Sequence, residues 1–463
     1  MAHRCMALTH ASSADSAATL PPQSPLQQTL ARLLLRLDAS QPPRNPAQLL
    51  QLSEALPQGS VSDWGLWLAE QPGAEKLYWR SRDGGQELAG LGFALQLQGE
   101  QARAWLAQPA QRSVPQGYWF SDFPGQGQDD RWPGFPSQLL LVPRIALERG
   151  AEGAVVRVTC AEDERDTLRH SLSQLLQHQA QPSAPPASPL PPVWRQDTPG
   201  RVAWESELAA AQHAFATGQL QKVVLARRTR LDAAAPLPFW ALFLRWREQA
   251  RNGYQVALQL ESERGFISFT PERLLRRHAQ QLATEALAGT LPLAAATTDD
   301  AKNSFEHALV VEDLRAKLAR CCTQLQEDAA VRLIQQPRFQ HLYYAFAGQL
   351  QAGCDDAQLL QHLHPTAAIG GLPSAAAAAF IAQHEPFPRG WFAGVCGPVS
   401  AAHSELAVGI RSARVEGCRV ELYAGAGIVP DSEAATEWQE LEQKIALPLG
   451  LFPQVLPAAA GDA

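Results

Sequence analysis

The stretch QHQAQPSAPPASPLPPVWRQDTPGR, from Gln177 to Arg201, decides how the rest of the chain is assembled. Its prolines crowd together and hydrophobic periodicity stops, the composition of a connector. A connector can separate two domains or join two halves of one fold, and this composition serves either. On its N-terminal side TLARLLLRL has the spacing of an amphipathic helix, while KLYWRSR, LGFALQLQG, SQLLLVPRIAL and AVVRVTC have the alternation or short apolar runs of strands. On its C-terminal side helical patterns (WESELAAAQHAFATGQ, PFWALFLRWREQAR, FEHALVVEDLRAKLARCCTQL) alternate with strand patterns (KVVLARRTRL, YQVALQLES, GFISFT, HLYYAFAGQL, LAVGIRSARV, RVELYAGAG). Alanine-rich PSAAAAAFIAQH reads as an ordinary packed helix. No internal repeat of fixed period is present.

With 463 residues, 46% of them hydrophobic, the chain can bury a large core. A net charge of -7, from 39 basic and 46 acidic residues with no long basic run, argues against a nucleic-acid partner. An anionic ligand would need locally concentrated positive charge. The 7 cysteines form no Cys-x-x-Cys pair, which argues against structural zinc or a disulfide framework and fits reduced thiols. The opening MAHRCMALTHASSADSAATL lacks the apolar core of a signal peptide, and nowhere do about 18 apolar residues run together. A cytoplasmic chain without a membrane span is the expectation.

Several segments hold residues suited to chemistry. TEWQELEQK puts Glu437 and Glu440 at i and i+3 on one side of a helix, with Lys444 one turn beyond Glu440. It is either a solvated face or one wall of a metal site. NSFEHALVVEDL puts Glu306 and Asp313 on one side of another helix. Two such helices, without histidine pairs or cysteines, suit a hard, oxygen-seeking cation such as Mg²⁺. Lys222 leads into a strand that is apolar on both faces, so it either snorkels to water or sits in a low-dielectric site where a neutral amine can act as a base. Glu272 follows Pro271 at a strand end. LYAGAGIVPD lacks the third glycine and the following helix of a dinucleotide fingerprint. Gly425 and Gly427 therefore mark either a turn, the more ordinary reading, or a close approach to a ligand.

Together these segments resemble the chorismate-utilising enzymes, the family of isochorismate synthases, salicylate synthases and the large subunits of anthranilate and aminodeoxychorismate synthases. The resemblance runs through KVVLARRT, FTPERLL, TEALAGT, EHALVVEDL, LHPTAAIGGLP, EPFPRGWFAG, IRSA, YAGAGIV and EWQELEQK. It covers residues 199–453, with LYW, LGFAL and WPGFPSQLLLVPRI similar to the variable half of an isochorismate synthase. It implies an α/β (α+β) fold of two packed antiparallel β-sheets ringed by helices, the active site lying in the cleft between layers. Residues 1–176 would be an N-terminal half, 177–198 the connector and 199–453 the catalytic half of one body. Lys222 would be the base that activates water and Glu272 the acid that protonates the departing hydroxyl. Glu306 and Glu440 would hold Mg²⁺ with Glu437 close by, and Gly289, Thr290, His341, Arg411, Tyr423, Gly427 and Lys444 would contact chorismate. The implied reaction is Mg²⁺-dependent interconversion of chorismate and isochorismate, by water addition at C2 and loss of the C4 hydroxyl.

Alanines at 286 and 288 leave no lysine nucleophile of the aminodeoxychorismate synthase kind, and TEALAGT resembles the isochorismate synthases, nearest to those of the menaquinone pathway. Salicylate synthase, a siderophore-pathway isochorismate synthase and a non-catalytic chorismate-binding paralogue are the alternatives. No amidotransferase partner is expected. LPLAAATTDDAKNSFEH after Thr290 is shorter than the family's loop and lacks the basic residues expected there, and LVVED lacks a strict DRxEH preamble.

Overall fold

The apolar run after Lys222 forms the Lys222–Ala233 strand, whose first six residues are buried. One edge pairs antiparallel with Arg419–Ile428, placing Val224 opposite Gly427 and Ala226 opposite Gly425. The other edge meets Gly371–Leu372 and then Val193–Thr198. From Arg419–Ile428 the pairing continues through Ser412–Glu416, Arg264–Thr270, Tyr254–Glu261, Lys76–Arg80 and Glu87–Gln98 to Gln138–Gly150. A second run leaves the same Gln138–Gly150 strand through Gln116–Ser121, Val395–Ser400, His403–Val408, Arg273–His278 and Gln281–Pro292 to Phe339–Leu350. This computed structural model describes residues 24–41, 48–108, 116–125, 132–178, 190–250, 252–293, 300–335 and 339–457. Among them are 21 strands and ten α-helices, and only the Val455–Pro457 pairing with Val193–Thr198 is parallel.

The two runs of strands are layers that face each other. Tyr254 of the first donates its hydroxyl to Glu405 of the second at 2.7 Å. The Trp79 ring of the first sits against Gly397 of the second, 3.0 Å from where a Cβ would stand. Phe266 meets Trp391 edge to face at 5.6 Å, and Trp391 stacks on Phe120 at 5.1 Å. Aromatic pairs of this kind add about 0.5–1.5 kcal/mol beyond their buried area. Antiparallel layers with helices around them are the architecture expected from the family resemblance.

Two helices carry the acidic segments. Ala301–Leu318 begins where Asp300 accepts from the Asn303 amide at 2.7 Å, and it buries Val310, Leu314 and Leu318. Ala434–Leu449 buries Leu441 and Ile445. Three local readings of the sequence are corrected. The helical pattern through CCTQL stops at Leu318, and Cys322–Glu327 is a strand paired with Phe339–Leu350. LAVGIRSARV is not one strand: His403–Val408 and Ser412–Glu416 lie in opposite layers. The last part of the proline-rich stretch is the Val193–Thr198 strand, while residues 179–189 and the opening twenty fall outside the described residues.

Candidate active site

Two crossings of the chain between the layers lie side by side. Thr270, Pro271 and Glu272 lead from Arg264–Thr270 to Arg273–His278, and Gly409, Ile410 and Arg411 lead from His403–Val408 to Ser412–Glu416. Two main-chain bonds join the crossings: the Phe269 amide donates to Arg411 O and the Val408 amide to Glu272 O, each at 3.1 Å. Arg411 takes φ +47°, a left-handed conformation uncommon outside glycine, and so turns its side chain into the cleft. The cavity at this junction is bordered by Glu272, Glu306, His341, Arg411, Glu440 and Lys444.

Glu272 is 5% exposed. Burial above all, and then the Glu285 carboxylate, push its pKa up to about 8 against the pull of Lys222, Lys444 and Arg411. It is a neutral carboxylic acid at pH 7. Arg411 is drawn down to about 10 by burial, opposed by Glu272, and remains a cation at neutral pH. Its Nη2 donates to His341 Nε2 at 3.1 Å. That leaves Nδ1 of His341 to carry the proton and donate to Gly289 O at 3.2 Å. Burial first, then Arg411 and Lys444, hold His341 down to about 3, so the imidazole is neutral and serves to orient the guanidinium.

Gly289 is the bulge that shapes this wall. The pairing of Gln281–Pro292 with Phe339–Leu350 shifts between Ala288 and Thr290, and Gly289 has φ +74°. The shift aims Thr290 at Glu440, its hydroxyl donating at 3.2 Å. Glu440 also pairs with Lys444 at 2.7 Å, and Lys444 donates to Gly425 O at 2.7 Å. Burial works to raise the Glu440 pKa, but Lys444 and then Lys302 and His341 outweigh it and hold the carboxyl below its usual range.

Lys222 is fully buried and does not snorkel; its Nζ lies 3.0 Å from Glu306 Oε1. It stands behind the cavity wall, with Glu306 between it and the cleft. Gly427 explains how they fit. It lies inside the Arg419–Ile428 strand, so the turn reading fails, and a Cβ there would fall 1.9 Å from Glu306 Oε1 and 3.3 Å from Lys222 Cε. Tyr423 borders the cavity, but its hydroxyl donates to Glu421 at 2.8 Å and its ring stacks on Phe392 at 5.3 Å, so it offers a wall and not a polar contact. Asp313 faces away from the site, accepting from the Ala367 amide and pairing with Lys317, each at 2.9 Å.

Two contributions escaped the sequence reading. Lys302, in the segment taken to lack basic residues, pairs with buried Glu437 and feels Glu306 and Glu440 as well. Its spacing from Glu306, one helical turn, was the available signal. Arg389, fully buried, donates to Val224 O and Ile369 O at 2.8 Å each, and bonds Glu385, which accepts from the Ala226 amide at 2.9 Å. It ties the Lys222 strand to the Ile369 segment that runs beside it. EPFPRG carries the pair at i and i+4.

Glu306 and Glu440 border one cavity, each balanced by a lysine, and Lys302 sits under the field of these two and Glu437. This is an all-oxygen donor set already shaped around positive charge, and it fits a hard divalent cation. Among the described residues no three candidate ligands converge to enclose an ion by themselves. A cation that shares its sphere with water and an anionic substrate needs no such cage.

A family model for chorismate binding enzymes matches residues 36–449. The chain belongs to that family. Isochorismate synthase MenF of Escherichia coli (strain K12) is 34% identical over 397 residues, covering 82% of this chain and 88% of that protein. A salicylate biosynthesis isochorismate synthase of Pseudomonas aeruginosa is 32% identical over 358 residues, 72% of each chain. The solved structure of MenF, the menaquinone-specific isochorismate synthase of Escherichia coli, superposes with a TM-score of 0.81 at 31% identity, covering 92% of this chain and 99% of that one. The family resemblance read from the motifs and the layered architecture are both borne out.

Proposed function

We propose that the protein is an isochorismate synthase that interconverts chorismate and isochorismate, and that Lys222 and Glu272 are its base and acid. The observation that carries the reading is a carboxyl, Glu272, held neutral to about pH 8 in the same cavity as two cations, Arg411 and Lys444. Chorismate is a dianion whose C4 hydroxyl must leave with a proton. Arg411, oriented by His341, receives one carboxylate through a two-pronged contact, and Lys444 adds charge. Glu272 delivers the proton to the departing oxygen, and apolar neighbours such as Ala393, Ile410 and Phe392 keep bulk water from that step. Lys222, shed of its own proton, takes that of the attacking water, which must reach its buried Nζ past the Glu306 carboxylate.

Glu306 and Glu440, with Glu437 behind them, would hold Mg²⁺. When bound, the metal neutralises and fixes a substrate carboxylate. The similarity to MenF supports a place in menaquinone synthesis, and a cytoplasmic protein acting on a small molecule alone is part of the same reading. Among the described residues no helix is long and apolar enough to cross a membrane. A second reading, supply of salicylate or a siderophore, is favoured by the similarity to the Pseudomonas aeruginosa protein.

Purified protein incubated with chorismate and Mg²⁺ tests the proposal. Isochorismate should accumulate and revert to chorismate when supplied alone. Salicylate with pyruvate would establish salicylate synthase activity instead, and thermal stabilisation by chorismate without turnover would establish a binding protein.

A further inference from the structure

The peptide groups on both sides of Glu272 are gripped by one ion pair. Arg82 Nη1 donates to Pro271 O at 2.7 Å, immediately before Glu272, and to Glu285 Oε1 at 2.6 Å, while Nη2 donates to Glu285 Oε2 at 2.8 Å. The same Glu285 Oε1 accepts from the amide of Arg273, immediately after Glu272, at 3.2 Å. The Glu285 side chain is fully buried, and Arg273 Nη1 stands 3.6 Å from its other oxygen. Arg82 comes from the N-terminal half. It lies in the turn after the Lys76–Arg80 strand, which Asp83 pins by accepting from Ser81 Oγ at 2.7 Å and the Gly85 amide at 2.9 Å.

Resting on the reading of Glu272 as the acid, we infer that Arg82 is a positioning residue for the reaction: with Glu285 it fixes the Pro271–Arg273 main chain and so aims the Glu272 carboxyl. The fork of a guanidinium is what the geometry uses, since one group reaches two carboxylate oxygens and a carbonyl together. Lysine offers a single point of charge and cannot hold all three. The arrangement gives the N-terminal half a part in the chemistry without touching substrate. Chorismate's proposed contacts are held by other groups, Arg411 by His341 and Lys444 by Glu440 and Gly425 O, so loosening Glu272 should cost turnover and leave binding intact.

The test compares Arg82→Gln, Arg82→Lys and Glu285→Gln with Glu272→Gln, and combines Arg82→Gln with Glu272→Gln in a double-mutant cycle read as kcat and KM for chorismate at saturating Mg²⁺. Thermal melts establish which variants fold. Arg82→Gln should lower kcat by about 10- to 100-fold with KM changed less than about threefold, and Arg82→Lys and Glu285→Gln should each lose at least about threefold. In the Glu272→Gln background Arg82→Gln should cost less than about threefold more, because its effect passes through the missing acid. Should Arg82→Gln fail to fold, the lysine and glutamine variants carry the same cycle. Wild-type kcat in the folded variants, an effect confined to KM, or equal losses in both backgrounds would overturn the inference while Glu272 stands. Full activity in Glu272→Gln would instead remove the acid assignment, and this inference with it.

Discussion

Glu272 is a carboxyl whose proton is worth following in two ways. Its pKa of about 8 in the folded protein exceeds the ordinary 4.5, chiefly through burial. Between those values the native state holds a proton that the unfolded chain has released. Stability therefore falls as pH rises through that window, by at most about 1.4 kcal/mol per unit from this group, and levels off above 8. Glu272→Gln abolishes that dependence. The melting temperature of the variant relative to wild type should climb from pH 5 to pH 8 and then flatten, and a difference independent of pH would show that the carboxyl is ionised in the native state. In kinetics the same group sets the alkaline limb of kcat/KM near pH 8, which the glutamine variant should lose together with most of its rate. A lysine beside a strand and a glutamate after Pro271 were legible in the sequence as candidates. That Glu306 would stand between Lys222 and the cleft was not, because it depends on the absence of a side chain at Gly427, on another strand.

At the scale of elements, the site depends on how closely strands and helices approach. Gly427→Ala keeps an extended backbone that any residue adopts, but its methyl would occupy the space of the Glu306 carboxylate, 1.9 Å away. The variant should fold, and its kcat/KM should drop by about 100-fold or more, in the range seen when a positioned catalytic group is displaced. Unchanged kinetics would mean that Glu306 can move without consequence. On the facing helix, Glu440→Gln removes one charge at constant shape; the protein should stay folded yet need much more Mg²⁺ for half-maximal rate, and an unaltered metal response would exclude Glu440 as a ligand. The helices bearing both acidic segments were readable from their periodicity. The break of LAVGIRSARV at Gly409 was hidden, since continuous apolar alternation gives no sign that a strand changes layers, and the left-handed residue there is an arginine. The helix end at Leu318 was missed for a related reason: pairing with the Phe339–Leu350 strand overrides a local pattern that still suits a helix.

Over the whole molecule, strands from the two sides of the proline-rich stretch are interleaved. Lys76–Arg80 pairs with Tyr254–Glu261, and Gln116–Ser121 pairs with Val395–Ser400, one pair in each layer. We propose that both halves unfold as a single unit. Residues 199–453 produced alone would expose two long unpaired edges and the ring faces of Trp391 and Phe266. That fragment should aggregate or melt without cooperativity, whereas calorimetry of the intact chain should show one transition; two separable transitions would establish independent halves. Composition showed a connector and no more, because strand pairing across it leaves no mark on local sequence. The paired crossings at Glu272 and Arg411 add a further consequence. Their Phe269 and Val408 amides close the gap between acid and guanidinium with main chain, which side-chain replacement at either position leaves in place. In deuterium oxide these two amides should be among the slowest in the protein to exchange although a solvent-accessible cleft adjoins them. Such slow exchange would mean that the floor between acid and guanidinium keeps its width while ligand enters and leaves.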